Sequence, residues 1–178
     1  MKKIFVKTFG CQMNIADSEN VVSMLINSGD FEITHSINQA DVIIVNTCSV
    51  RKHAEDREES FIGHLKKLKV KNEELKIIIL GCFAQNAKSE LQKKFPFVDL
   101  IIGPLDYEYL SEILSSALQK NISKNYQYLN LFNKVSVFVP IMTGCDNYCS
   151  YCIVPYVRGK EKSRALNEIL DEIKNLLY

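Results

Sequence analysis

The sequence has 178 residues, 47% hydrophobic and 24% charged, with a net charge of +1. That is enough for one ordinary domain, or one domain and part of another, and the balanced charge gives no overall argument for a polyanion partner. No apolar run approaches the roughly 20 residues that cross a bilayer, and Ile4-Phe5-Val6 near the N-terminus is shorter than the signal-peptide core of about 7–15 residues, so the expected compartment is the cytoplasm.

Residues 1 to about 105 read as alternating strands and helices. "KIFVKT" (3–8) is the first short β-branched run, and "DSENVVSMLINSG" (17–29) follows it as a helix. That helix starts on capping-type residues, lines up Val21, Val22, Met24, Leu25 and Ile26, and stops at Gly29. "FEITH" (31–35) and "DVIIVN" (41–46) are the next two strands. The polar stretch 50–68 reads as a helix with a solvated charged face. "KIIIL" (76–80), a helix over 84–95, "VDLIIG" (98–103) and a helix over 105–120 capped by Asp106 complete the series. Runs with so little polar alternation suit strands covered on both faces of a parallel sheet. Strand–helix alternation implies right-handed crossovers and a layered α/β domain. The strand order we expect is the flavodoxin-like one, and the expected domain spans residues 1–120.

Residues 121–134 carry four asparagines and no helical period, and read as a linker. Residues 135–178 read as one βα unit: strand "VSVFVP" (135–140), a cysteine loop, then a helix over 167–177. In that helix Ile169, Leu170, Ile173, Leu176 and Leu177 share one face. A single βα unit cannot bury its own apolar face, so a covalent continuation or a partner is expected to cover it.

The chain has six cysteines, and in a reducing compartment they read as metal ligands or catalytic groups rather than disulfides. Cys11, Cys48 and Cys82 each follow a predicted strand. In a parallel sheet those strand ends lie along one edge, where α/β proteins build their sites. Three cysteines far apart in sequence would thus converge on a shared metal. The alternative is three buried thiols acting as small hydrophobes. Cys145, Cys149 and Cys152 form a C-x3-C-x2-C loop, "CDNYCSYC". A cubane iron–sulfur cluster held by three cysteines leaves one iron without a protein ligand. That vacancy can take a small molecule, as the open position of catalytic zinc does. Zinc competes for either triad if a histidine joins it. His53 is the nearest, but lies a turn or more into a predicted helix, and His35 and His64 have no partnering pattern. All three read as surface histidines. Tyr151 either flanks a ligand at the open iron or packs into the core. Gly144 and Ser150 leave room for a cluster. Arg158 either neutralises an anionic cluster or ligand, or is a surface arginine.

With these residues assembled, the chain resembles the methylthiotransferase family of radical S-adenosylmethionine (SAM) enzymes. The loop "CDNYCSYC", with an aromatic before its last cysteine, is similar to the radical SAM signature, and "FVPIMTGC" and "CIVPYVRGKEKSR" flank it. Upstream, "KTFGCQMN" (7–14), "VNTCSVR" (45–51) and "GCFAQ" (81–85) are similar to that family in the same order. Together these stretches carry all six cysteines and the match covers essentially the whole chain. "GCQMN", "NTCSVR" and "IVPYVRG" look most like the branch acting on N6-dimethylallyladenosine in tRNA. Two branches are close: one acts on threonylcarbamoyladenosine in tRNA, the other on a ribosomal-protein aspartate.

The resemblance implies two [4Fe–4S] clusters and SAM. Cys145, Cys149 and Cys152 would hold the radical SAM cluster, and Cys11, Cys48 and Cys82 the auxiliary cluster that carries the sulfur. A SAM-derived radical would abstract hydrogen from C2 of the adenine, a C–H bond too inert for acid–base removal, so the cofactor supplies the hard chemistry. Tyr151 and Arg158 become candidate SAM contacts, and no side chain is assigned a catalytic role. The implied partners are tRNA bearing N6-dimethylallyladenosine, an electron donor and a sulfur source, with no membrane and a monomer when complete. Members of the family continue through a partial βα barrel and an RNA-binding β-domain. The expectation is therefore a barrel truncated after its first βα unit, with weak or no catalysis by this chain alone. A non-enzymatic iron–sulfur or zinc protein is the reading from another class.

Overall fold

The structure is a computed structural model, and it describes residues 1–49, 52–127, 129 and 136–177. Five parallel strands form its central sheet: β1 (Lys2–Thr8), β2 (Phe31–Ile33), β3 (Val42–Thr47), β4 (Lys76–Gly81) and β5 (Leu100–Ile102). Their order is β2-β1-β3-β4-β5, the flavodoxin-like order expected from the sequence. Every residue of β3 is buried, as its unbroken "VIIVNT" requires. Successive side chains alternate between two cores. Val42, Ile44, Ile78 and Leu80 pack with Val21 and Leu25 of helix α1 (Gln12–Asn27) and with Leu110, Leu114 and Leu118 of α5 (Leu110–Leu118). Ile43, Val45, Ile77 and Ile79 face the other way, against Ile62 and Leu65 of α2 (Lys52–Lys71) and Leu91 of α4 (Lys88–Lys94).

The helix boundaries depart from expectation for physical reasons. α1 begins five residues before Asp17, with Cys11 at its N-cap. Its first turns bury Asn14, Asp17 and Ser18 with only the small Ala16 as an apolar residue among them, so hydrophobic periodicity does not reveal them. The helix expected over 84–95 is split into α3 (Cys82–Asn86) and α4 at Ala87, whose φ of −119° is not helical. The stretch expected over 105–120 opens with a 3-10 turn over Pro104–Tyr109 before α5. Asp106 is not a cap. It lies inside that turn and pairs with Lys88 at 3.2 Å. Residues 50 and 51 of the polar helix lie outside the described residues.

Residues 121–127, within the expected linker, run along α1, where the Tyr126 hydroxyl donates to Asn20 at 2.7 Å. The linker's residues 128 and 130–134 lie outside the described residues, as does Val135 of the expected strand. Residues 136–140 form no strand. No parallel partner among the described residues lies beside them, and Pro140 has no N–H to give to a ladder. The strand there is β6 (Met142–Thr143), paired antiparallel with β7 (Lys162–Ser163). This hairpin encloses the cysteine loop and a helix that periodicity did not show, α6 (Val154–Arg158). α7 (Leu166–Leu177) follows. Its Leu166, Leu170 and Ile173 are exposed, and the residue it buries among those described is Glu172, paired with Arg164 at 2.6 Å. Among the described residues, no helix is long and apolar enough to cross a membrane.

Candidate metal centre

The register of the sheet places the upstream cysteines. Thr47 pairs with Gly81, so Cys48 and Cys82 leave adjacent strands at the same level. β1 pairs with β3 on the other side, Thr8 opposite Asn46, and Cys11 follows three residues later. Their three strands are thus immediate neighbours, and all three thiols emerge at the carboxyl edge.

That edge is built from buried polar side chains. The Asn14 amide donates to Asn46 Oδ1 at 3.0 Å and to the Thr47 carbonyl at 2.7 Å. Asn46 donates in return to the Asn14 carbonyl at 2.9 Å and to Ser18 Oγ at 3.0 Å. This reciprocal pair ties the first turn of α1 to the end of β3, and with it Cys11 to Cys48. Gly10 has a φ of +104°, and a Cβ there would lie 3.0 Å from the Cys48 sulfur, so the loop before Cys11 crosses directly over Cys48. The Cys48 N–H donates to Glu58 Oε1 at 2.9 Å. Burial pushes the Glu58 carboxyl up to about 8.

Arg158 reaches this edge from α6. Its Nη2 lies 2.6 Å from Asp17 Oδ2, and both side chains are more than nine-tenths buried. Its charge also reaches the Cys82 thiol. The surface-arginine reading is therefore wrong, because Asp17 supplies a buried partner that no local pattern announces. Burial pushes the Cys82 thiol up, and the guanidinium pulls it back. Burial also raises the Asp17 carboxyl, opposed by Arg158. The Tyr107 hydroxyl is buried beside this group and has no hydrogen-bond partner among the described residues. A cavity of about 910 Å³ opens alongside, lined by Asp17, Tyr107, Arg158, Arg164 and Glu172 among others.

The second triad sits in the hairpin. Cys145 and Cys152 are half-buried and Cys149 is exposed. The Cys145 N–H donates to the Gly159 carbonyl at 3.1 Å and the Cys152 N–H to the Cys149 carbonyl at 2.9 Å. Gly144 is required by backbone: its φ is +74°, and a Cβ would strike the Lys160 carbonyl. Tyr151 is 89% exposed and is not a core aromatic. Tyr148 and Tyr156 meet edge-to-face at 5.9 Å instead. His35 is exposed, and so is His64, whose Nδ1 lies 2.6 Å from the Ser60 carbonyl. The side chain of His53 lies outside the described residues.

The six cysteines, all among the described residues, form no disulfide. Among the described residues, no three Cys, His, Asp or Glu side chains approach closely enough to hold a metal ion. The edge therefore gathers the upstream thiols without closing a ligand set around one point. The donor set still suits iron–sulfur chemistry. Three soft sulfur donors follow neighbouring strands, with Cys11 at the N-cap of α1.

The family described as "Uncharacterized protein family UPF0004" matches residues 3–103, which hold the whole sheet and the three upstream cysteines. The chain belongs to this family. Relatives of this UPF0004 chain carry a more specific description. It is 42% identical over 187 residues to the tRNA-2-methylthio-N(6)-dimethylallyladenosine synthase of Dictyoglomus thermophilum, across 99% of this chain and 42% of that protein. Proteins so described in Aquifex aeolicus and Psychrobacter cryohalolentis are 40% and 37% identical, with 43% and 39% of their lengths covered. The resemblance to methylthiotransferases read from the cysteine-bearing segments agrees with these relatives. The chain spans about two fifths of the length of the curated relatives it matches.

Sequence reasoning missed Asn14, Asp17, Asn46, Glu58 and Tyr107. One signal was available: Asn46 stands in an otherwise apolar strand, and a buried amide there needs partners.

Proposed function

We propose that the chain belongs to a tRNA methylthiotransferase that inserts a methylthio group at C2 of N6-dimethylallyladenosine. Cys11, Cys48 and Cys82 hold an auxiliary [4Fe–4S] cluster, and Cys145, Cys149 and Cys152 hold a radical SAM [4Fe–4S] cluster. When bound, these clusters and SAM supply the electron, the hydrogen-abstracting radical and the methylthio sulfur that an inert aromatic C–H requires. The chain's own residues hold the thiols in place: the Asn14–Asn46 pair fixes Cys11 against Cys48, and Gly10 lets the loop cross the Cys48 sulfur. Tyr151, exposed on the loop, is available to contact SAM. Residues 1–120 act as the auxiliary-cluster domain, 121–134 as the linker, and 135–178 as the start of the radical SAM domain. The partners are tRNA, an electron donor and a sulfur source, in a cytoplasmic monomer.

The observation that carries this reading is the emergence of Cys11, Cys48 and Cys82 from three adjacent strands at one sheet edge, in a chain with a second cysteine triad. Anaerobic reconstitution should load about eight irons with matching sulfide, and any one of Cys11→Ala, Cys48→Ala or Cys82→Ala should reduce that to about four. Zinc without labile sulfide, or iron unaffected by all three changes, would falsify the two-cluster reading. For the substrate, tRNA nucleosides from a deletion strain should lack the 2-methylthio group on dimethylallyladenosine. Loss confined to threonylcarbamoyladenosine assigns the other tRNA branch.

A further inference from the structure

Charged side chains are almost never fully buried unless paired. The pair formed by Arg158 and Asp17 spans 141 positions of sequence at 2.6 Å. Burying such a pair stabilises little beyond what an apolar contact would give, because desolvation offsets the attraction. Simple attachment of α6 is therefore a poor account of it, and Val157 beside it already supplies a buried apolar contact. The surroundings suggest a more specific role. Arg158 is the last residue of α6. α6 packs on α3, whose first residue is Cys82. Asp17 belongs to α1, the helix whose cap is Cys11. A guanidinium has five donors in a rigid planar fork, so it can bond a carboxylate and a sulfur at once. Arg158 bonds Asp17, and the packing of α6 on α3 brings its charge within electrostatic reach of Cys82.

We infer that Arg158 is a positioning residue for the upstream thiol site, a cation from the C-x3-C-x2-C segment that Asp17 aims at the Cys82 sulfur. The inference rests on the reading of Cys11, Cys48 and Cys82 as cluster ligands. Hydrogen bonds and charge at the ligand sulfurs are among the levers that set a cluster's reduction potential. A cation beside a ligand sulfur favours the reduced, more negative cluster. An anion favours the oxidised one. The segment that carries the second triad thus biases the potential of the first.

The test uses the full 178-residue chain carrying Cys145→Ala, Cys149→Ala and Cys152→Ala, reconstituted anaerobically so that one cluster reports. Iron and sulfide are counted, and the midpoint potential is followed by electron paramagnetic resonance during a redox titration. Arg158→Gln should move the midpoint to a more negative value. Arg158→Lys, which keeps charge but loses the fork, should move it less in the same direction. Asp17→Asn should move it to a more positive value. Opposite signs from the two members of one pair are not expected of a contact that only supports the fold. Shifts of the same sign, or no shift with iron and sulfide retained, overturn the inference while leaving the cluster reading intact. If Arg158→Gln fails to fold, the near-isosteric Asp17→Asn decides alone: a positive shift supports the inference and its absence overturns it. A parent chain that takes up no iron and sulfide overturns the cluster reading, and this inference with it.

Discussion

Two glycines show how differently a positive φ constrains single residues. Gly81 ends β4 at φ +101°, and a Cβ built there would run into the Thr47 carbonyl and the Asn46 side chain. Neither can yield easily, because Thr47 is in the ladder with Gly81 and Asn46 is held by α1. Gly29 has φ +79° and nothing within 4 Å of the same construction. Gly29→Ala therefore meets backbone strain alone, about 1–2 kcal/mol. Gly81→Ala adds a backbone collision and should cost about 3 kcal/mol or more. Urea denaturation of the two variants checks this. Equal losses would mean that the carboxyl edge is less rigid than its contacts require. Cys82 follows Gly81 directly, so this glycine also sets the direction in which a candidate ligand leaves its strand.

At the scale of elements, the strands were legible because each is a run of β-branched residues too short for a helix and covered on both sides. The placement of Cys11, Cys48 and Cys82 at one edge was legible because each follows a strand of one parallel sheet. What could not be read was the polar filling between elements. The first turns of α1 bury Asn14 and Asp17, whose partners Asn46 and Arg158 lie 32 and 141 positions away. No local window contains such a pair, so the helix start and the ion pair were both missed. The expected strand at 135–140 failed for a related reason: a strand is a property of two segments, and residues 136–140 have no parallel neighbour among the described residues. The amide pair itself can be tested. Asn46→Ala removes three of the hydrogen bonds between β3 and α1 and leaves the Asn14 amide with the Thr47 carbonyl. The loss of buried hydrogen bonds should cost about 2–3 kcal/mol. It should also loosen the seam over Cys48, so that thiol reagents reach this buried cysteine faster in the metal-free chain. A destabilised variant with unchanged Cys48 reactivity would show that the pair supports the fold without holding the site.

For the whole molecule, burial is unevenly distributed. β3 and the first five residues after Lys76 in β4 are buried throughout and packed on both faces. Among the described residues of 136–177, those buried are Pro155, Val157 and Glu172. α7 exposes 68% of Leu166 and 43% of Leu170, so its apolar face contributes little to the core. Free energies of local opening follow buried apolar contact, from near zero at loosely packed elements up to the global value in core strands. Native-state hydrogen exchange should therefore show β3 and β4 amides exchanging only through global unfolding, with α7 amides opening far more cheaply. Side-chain substitution should divide the chain the same way. Ile79→Ala, in a fully buried strand position, should cost about 2–5 kcal/mol. Ile173→Lys, at a position 38% exposed, should change global stability by no more than about 0.5 kcal/mol. If α7 amides were protected as strongly as those of β3, or if Ile173→Lys unfolded the chain, the cysteine-loop segment would be part of one cooperative core. The expected result instead makes the sheet an independent platform on which the upstream thiols are fixed. The Arg158–Asp17 pair is then a polar contact between the second segment and that platform, whose burial adds little to the stability of either.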